Sequence, residues 1–162
     1  RLTLFPAVMA FAASSDLFTM TIANRVSLIL AAGFVVLALM TGMSGAEMAW
    51  HVGAAASVLI VSFLLFSRGW IGGGDAKLAA ATVLWLGFGH LFDYLIYASV
   101  LGGALTLVLI KFRTMPMPGA LVGREWAERL HAKGGGVPYG AALAAAALLV
   151  YPHTEWMAAI GF

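Results

Sequence analysis

Two aspartates carry the most chemistry in this chain. Asp16 closes an apolar run and opens the stretch DLFTMTIANR, and Asp75 follows three glycines in RGWIGGGDAKLAAATVLWLG, which runs from Arg68 to Gly87. A charged side chain at the centre of a lipid-spanning helix costs about 2.5–3.5 kcal/mol on insertion scales, so such groups pair, face a cavity or act. Position alone also allows both to lie hydrated in the headgroup layer, Asp75 beside Lys77. Two carboxylates that meet in a partly dry site cannot both ionise freely, and they share one proton. The pair then supplies a base that takes a proton from water and an acid that protonates or hydrogen-bonds a scissile carbonyl. No covalent intermediate is needed. The rival chemistry is transport, with the same carboxylates passing protons or cations across a membrane. Against it, both aspartates fall at one membrane face and no inverted repeat is visible. A purely structural subunit would leave both unexplained.

Gly72, Gly73 and Gly74 remove side chains just ahead of Asp75, so backbone can approach closely there. The plainer reading is a flexible turn. The triplet is neither a P-loop, since no GxxxxGK[ST] frame fits, nor a dinucleotide fingerprint, since Lys77 stands where a third glycine would be. Lys77 could sit against Asp75 or a substrate carboxylate, or simply snorkel. Arg25 could touch substrate or only set topology, and Asn24 could touch substrate or cap the following helix.

These side chains need a scaffold, and composition says which kind. Of 162 residues 62% are hydrophobic and 10% charged, against about 25% charged in an ordinary soluble domain. The reading is an all-α, polytopic membrane protein with six transmembrane helices. The apolar runs are about Leu2–Met20, Val26–Thr41, Met48–Phe66, Ala76–Phe88, Leu91–Phe112 and Val137–Tyr151, the last extending past Pro152 toward Phe162. If the spans alternate, Arg25, Arg68, Lys77, Lys111, Arg113, Arg124, Arg129 and Lys133 share one side, leaving only Arg1 opposite. Lysine and arginine mark cytoplasmic loops. Both termini are therefore expected on the non-cytoplasmic side and both aspartates near the cytoplasmic face. The basic excess thus reflects topology rather than nucleic-acid binding. Residues 1–162 read as one transmembrane domain with a cytoplasmic loop at about 111–136, in which GREWAERLHAK forms a short helix. Trp126 and Leu130 share a face of it, Glu125 can pair with Arg129 at i+4, and Gly134–Gly136 could hinge it. That helix either lies on the membrane surface or covers the aspartates.

Other features read plainly. Without cysteine there is no disulfide, thiolate nucleophile or cysteine-ligated zinc. Glu47 and His51 stand i, i+4 but make too few ligands for a metal. His90 with Asp93, and His153 near Glu155, read the same way, so no metal or cofactor is expected. Trp50, Trp70, Trp85, Trp156, Tyr94 and Tyr151 read as interfacial anchors, with Trp85 nearer the interior. Small residues at Gly53–Ser57 and Gly102–Gly103 would permit close helix packing.

Gly72-x-Gly74-Asp75 matches the GxGD motif, and the string GGGDAKL resembles the version found in type IV prepilin peptidases, a family of intramembrane aspartyl proteases. DLFTMTIANR resembles that family's first-aspartate motif, D-x5-IPNR, and Val137-Pro138-Tyr139-Gly140 resembles the segment opening its last helix. The three occur in the family's order. The small size points to the Tad/Cpa-type branch, which processes Flp-type pilins. The resemblance implies an aspartic endopeptidase of the bacterial inner membrane with Asp16 and Asp75 catalytic. It also implies a prepilin substrate with a basic leader and a hydrophobic helix, cut near the cytoplasmic boundary. Two departures stand out. Ala23 replaces the family proline, which would allow the first helix to run further. The cysteine-bearing cytoplasmic domain of the larger bifunctional members has no counterpart, so N-methylation of the product is not expected.

Overall fold

A computed structural model describes residues 3–158. Among these residues all regular structure is helical: α1 (Leu4–Thr19), α2 (Asn24–Thr41), α3 (Gly45–Ser67), α4 (Gly73–Leu86), α5 (Leu91–Thr114), α6 (Glu125–His131), α7 (Tyr139–Val150) and α8 (Glu155–Ala158), with 3-10 turns at Gly119–Leu121 and Tyr151–His153. Each of the six apolar runs thus holds a helix. The expected start of the first run at Leu2, and the extension of the last beyond Ala158, lie outside the described residues. Three helices, α2, α3 and α5, are long and apolar enough to cross a membrane, while α1 and the stretch Tyr139–His153 are apolar and shorter. The outward faces carry Leu28, Val36, Ile60, Phe63, Phe92 and Leu107, each exposed. Apolar surface on that scale needs lipid around it, and the protein is a membrane protein.

Helix ends are set by local chemistry. Ser44 caps α3, accepting from the Glu47 amide at 3.2 Å while Glu47 accepts from the Ser44 amide at 2.8 Å, a reciprocal capping box. That contact is what Glu47 does. Gly42 ends α2 in the left-handed region, with φ 73°. Lys111 and Arg113 fall in the last turn of α5, where cations suit the carbonyl end of the helix dipole.

α4 is the central element. Nine of its 14 residues are buried, so it can be short: it is wrapped by protein rather than by lipid. α3 and α2 pack on it from one side and α7 from another, while α1 joins α2 to α7 and α7 carries α5. Two seams remain, because α3 barely touches either α2 or α5. Buried Ala54 gives α3 its close approach, as its small residues suggested.

The packing of the helices brings two sets of loops together. At one end lie the α1–α2 and α3–α4 connections and the N-terminus of α7. At the other lie the α2–α3 and α4–α5 connections and Thr154–Trp156. The second end is dense in rings. Trp85 and Phe5 are fully buried, and Phe5 stacks on Tyr151 at 4.5 Å between ring centroids. The Trp85 indole donates to the Leu30 carbonyl at 2.9 Å, and the Trp156 indole donates to the Trp85 carbonyl at 2.8 Å. His51 Nδ1 lies 2.8 Å from the Leu84 carbonyl, which makes Nδ1 the protonated ring nitrogen. Two of the carbonyls that the end of α4 leaves open are therefore met by side chains. Tyr94, Tyr151 and Trp156 are consequently buried core residues and not interfacial anchors. Trp50 and Trp70 are exposed, and Trp85 is interior. His90 and Asp93 form a 4.0 Å contact, and no group of three or more metal-ligating side chains occurs among the described residues.

Candidate active site

Asp16 sits one turn before the end of α1 and is 4% exposed. Its backbone carbonyl accepts from Met20, which adopts a left-handed conformation (φ 53°) and stops the helix. The helix therefore ends before Ala23, and alanine in the proline position does not prolong it. Ala23 has φ −66°, the value a proline ring would impose.

The Asp16 carboxylate points at the start of α7. Its Oδ2 accepts from the Ala141 amide at 3.2 Å, and the Gly140 amide faces it as well. The first amides of a helix have no partner inside it, and the dipole there favours an anion. Gly140 is required at this point: a Cβ there would lie 2.9 Å from Asp16 Oδ2 and against Ile22.

Asp75 is the third residue of α4 and half-buried. Its carboxylate turns back to the Gly72 amide, at the N-cap, and also faces the Gly140 amide. One backbone amide of α7 thus lies between the two carboxylates, which are close enough to feel each other's charge.

The glycine triplet divides its labour. A Cβ on Gly72 would come 2.9 Å from Asp75 Oδ2, so this glycine leaves room for the carboxylate. A Cβ on Gly74 would press on Ile22, at 3.2 Å from its Cβ and 3.4 Å from its carbonyl. Gly74 lets the start of α4 close on the α1–α2 connection and draws the two aspartate-bearing segments together. Gly73 faces only the Phe66 ring. Gly73 and Gly74 belong to the helix, so the triplet is not a slack turn, and its close approach is to the chain's own backbone.

Both carboxylates line one cleft of about 920 Å³ together with Thr21, Ile22, Gly69–Gly74, Thr106, Gly136, Val137 and Tyr139. Pro138 is fully buried. The Tyr139 ring fills the notch left by Gly102 on α5, where a Cβ would collide with it, and its hydroxyl donates to the Ala98 carbonyl at 3.4 Å. Gly102 was legible only as a packing residue, and its pairing with a ring 37 positions later left no trace in the sequence.

The remaining candidates lie outside the cleft. Lys77 does not pair with Asp75: its Nζ donates to Asn24 Oδ1 at 2.9 Å. Asn24 is not a helix cap either, because Ala23 occupies the cap position and no side-chain cap bond is made. The Lys77–Asn24 contact instead ties the second turn of α4 to the first residue of α2. Arg25 is exposed. The α6 segment is docked: Arg129 donates to the Phe18 carbonyl at 2.9 Å, rather than pairing with Glu125, and Trp126 meets the Phe18 ring edge-on. Arg113 donates to the Leu130 and Gly136 carbonyls at 2.8 and 2.7 Å, which ties the last of the glycines read as a hinge to α5.

Two carboxyl groups around a shared backbone donor, lining one open cleft, can activate water against an amide. No curated protein and no solved structure gives a significant match to the chain. The model of the type IV leader peptidase family matches residues 3–107, a stretch that holds both aspartates, the whole glycine triplet and α1 through most of α5, and on that match the chain belongs to the type IV leader peptidase family.

Proposed function

We propose that this protein is an aspartic endopeptidase that removes the basic leader from a type IV prepilin at the cytoplasmic boundary of the inner membrane. One observation carries the reading: Asp16 and Asp75 line a single cleft and face the same Gly140 amide. In the mechanism one carboxylate accepts a proton from water, and the resulting hydroxide attacks the scissile carbonyl. The other, protonated, hydrogen-bonds the carbonyl oxygen as charge develops on it and then gives its proton toward the departing amine. Such a pair titrates as a unit and gives a bell-shaped pH–rate profile.

Six spans with both termini on the non-cytoplasmic side would put this cleft in the cytoplasmic leaflet, in agreement with the basic loops around it. The seam between α3 and α5 opens on the cleft, with Gly69–Gly74 on one flank and Thr106 on the other. A prepilin helix in the bilayer would reach the aspartates through that seam. The α1–α2 connection runs only from Met20 to Ala23 and leaves no room for an inserted domain. This favours the small Tad/Cpa-type branch acting on Flp-type pilins, without methylation of the product.

The test is cleavage of a leader-bearing Flp-type prepilin by purified protein in detergent or liposomes. Asp16→Asn and Asp75→Asn should each lower the rate by about 10²–10⁴-fold, the range of a lost general acid or base. Both variants cutting at the wild-type rate would overturn the assignment, as would proton flux through pilin-free liposomes abolished by the same changes.

A further inference from the structure

The second seam, between α2 and α3, is an open groove of about 630 Å³ that shares no lining residue with the aspartate cleft. Its walls are Leu28 and Ala31 of α2 and Val52, Ala56 and Leu59 of α3, and its floor is Ala80, Ala81 and Leu84 of α4. It is apolar along its length except at one end, where Asn24, Ser27 and Lys77 meet. We propose that this groove holds one anionic phospholipid, with an acyl chain along the alanine floor and the phosphate on Lys77.

Three observations fix the chemistry of the occupant. The groove wall belongs to the lipid-facing surface, since Leu28, Val52 and Leu59 are all exposed apolar side chains, and an acyl chain is what a bilayer supplies to such a slot. The polar end is cationic. Lys77 donates to a neutral amide, makes no carboxylate contact within 4.0 Å among the described residues, and has exposed Arg25 beside its partner Asn24. Basic pockets between helices at a membrane surface suit anionic headgroups. The third is Ser27. Its Oγ is buried and has no hydrogen-bond partner, whereas Ser14, Thr41, Ser57 and Thr106 all bond back to the carbonyl four residues earlier. A buried hydroxyl without a partner costs about 1–3 kcal/mol. It stands one turn from Asn24 along the groove but is closed to solvent, so a lipid ester carbonyl meets it only when the Ser27 side chain turns toward the groove.

The groove does not depend on the peptidase reading, and its test reads binding alone. Purified protein is exchanged into mixed micelles holding equal amounts of phosphatidylglycerol and phosphatidylcholine, and retained lipid is counted by native mass spectrometry. The wild type should retain one phosphatidylglycerol at least about fivefold over phosphatidylcholine. Lys77→Gln, which removes the charge and can keep the Asn24 contact, should bring the ratio close to one. Ala56→Phe, on the exposed wall of the groove and outside the core, should lower retention of both lipids. Equal retention of the two lipids by the wild type overturns the proposal, as does unchanged lipid retention in Ala56→Phe or an unchanged preference in Lys77→Gln. A lipid-free dimer, or loss of the lipid on adding a pilin transmembrane peptide, assigns the groove to a helix and overturns it too.

Discussion

The two ends of the bundle solve the problem of an irregular chain in opposite ways. At the aromatic end the broken terminus of α4 is closed by side chains: His51 on the Leu84 carbonyl, Trp156 on the Trp85 carbonyl, and Trp85 itself on Leu30. These indole and imidazole nitrogens meet backbone carbonyls and rings pack around them, although the buried Tyr151 hydroxyl has no partner and a cavity of about 380 Å³ remains. At the aspartate end the corresponding backbone groups, the first amides of α7 and the Gly72 amide, are met by Asp16 and Asp75. Those carboxylates line an open cleft. Glycines replace bulk wherever a side chain would touch them. One end is built as a scaffold, and the other keeps its acceptors on the wall of an open cleft. Substitutions at the first should therefore act on stability, and substitutions at the second on rate.

The largest effect is expected at the scaffold. Trp85→Ala removes a fully buried ring from contact with Phe5, Phe34 and Trp156 and frees the Leu30 carbonyl. It should cost about 3–5 kcal/mol, read as an earlier midpoint when SDS is titrated into mixed micelles. A midpoint near that of the wild type would mean that this end is loosely packed after all.

Gly140→Ala and Gly72→Ala test the other end. Each brings a methyl to 2.9 Å from a carboxylate oxygen, Asp16 in the first case and Asp75 in the second. Displacing a catalytic group by about 1 Å can cost about 10²-fold, so prepilin cleavage should fall by about that factor with little change in the SDS midpoint. Gly103→Ala is the control, because nothing lies within 4 Å of its Cβ, and its cleavage rate should stay at the wild-type value. Equal losses in all three variants would break the distinction between the two ends.

His51→Phe should have a smaller effect, confined to stability. The ring remains to pack against Phe34 and Trp156, but the Leu84 carbonyl loses its donor. An acceptor left in this way costs about 1–3 kcal/mol. A drop in cleavage at an unchanged SDS midpoint would show that the aromatic end communicates with the aspartates.

Much of the scaffold was legible, because apolar runs and helix length leave few alternatives in a bilayer. The six helices lie where hydropathy puts them, and Asp16, Asp75 and the VPYG segment read as separate motifs all reach one cleft. What failed was partner choice at long range. Lys77 lies two residues from Asp75 but bonds Asn24, 53 positions away, and Arg129 passes over Glu125 for the Phe18 carbonyl. Local spacing offered the near carboxylate in both cases, while tertiary packing brought another acceptor closer. Tyr94, Tyr151 and Trp156 misled for a related reason. A ring near the end of an apolar run sits at the interface only if the helix spans the full bilayer. α7 is short, so Tyr151 and Trp156 beyond its end fall inside the bundle, whereas Tyr94 lies on the inward face of the long α5. The backbone amides of Gly140 and Ala141 carry no sequence signal at all beyond the glycine that exposes them.

The smallest predicted change concerns the one motif position that departs from the family pattern. Ala23 has φ −66° and ψ 141°, a conformation open to proline, and its amide makes no backbone hydrogen bond among the described residues. The chain is turned here by Met20, three residues earlier, so proline is not needed to end α1. Ala23→Pro should therefore add rigidity without moving either aspartate. It should raise stability by about 0.4–1 kcal/mol, chiefly by restricting the unfolded chain, and leave the cleavage rate at the wild-type level. A destabilised variant would mean that Ile22, wedged between Gly74 and Gly140, cannot take the extended conformation that a following proline demands. In that case alanine holds this position because the packing of Ile22 between the two aspartate-bearing segments excludes proline, and the aspartate end would be the more tightly specified of the two.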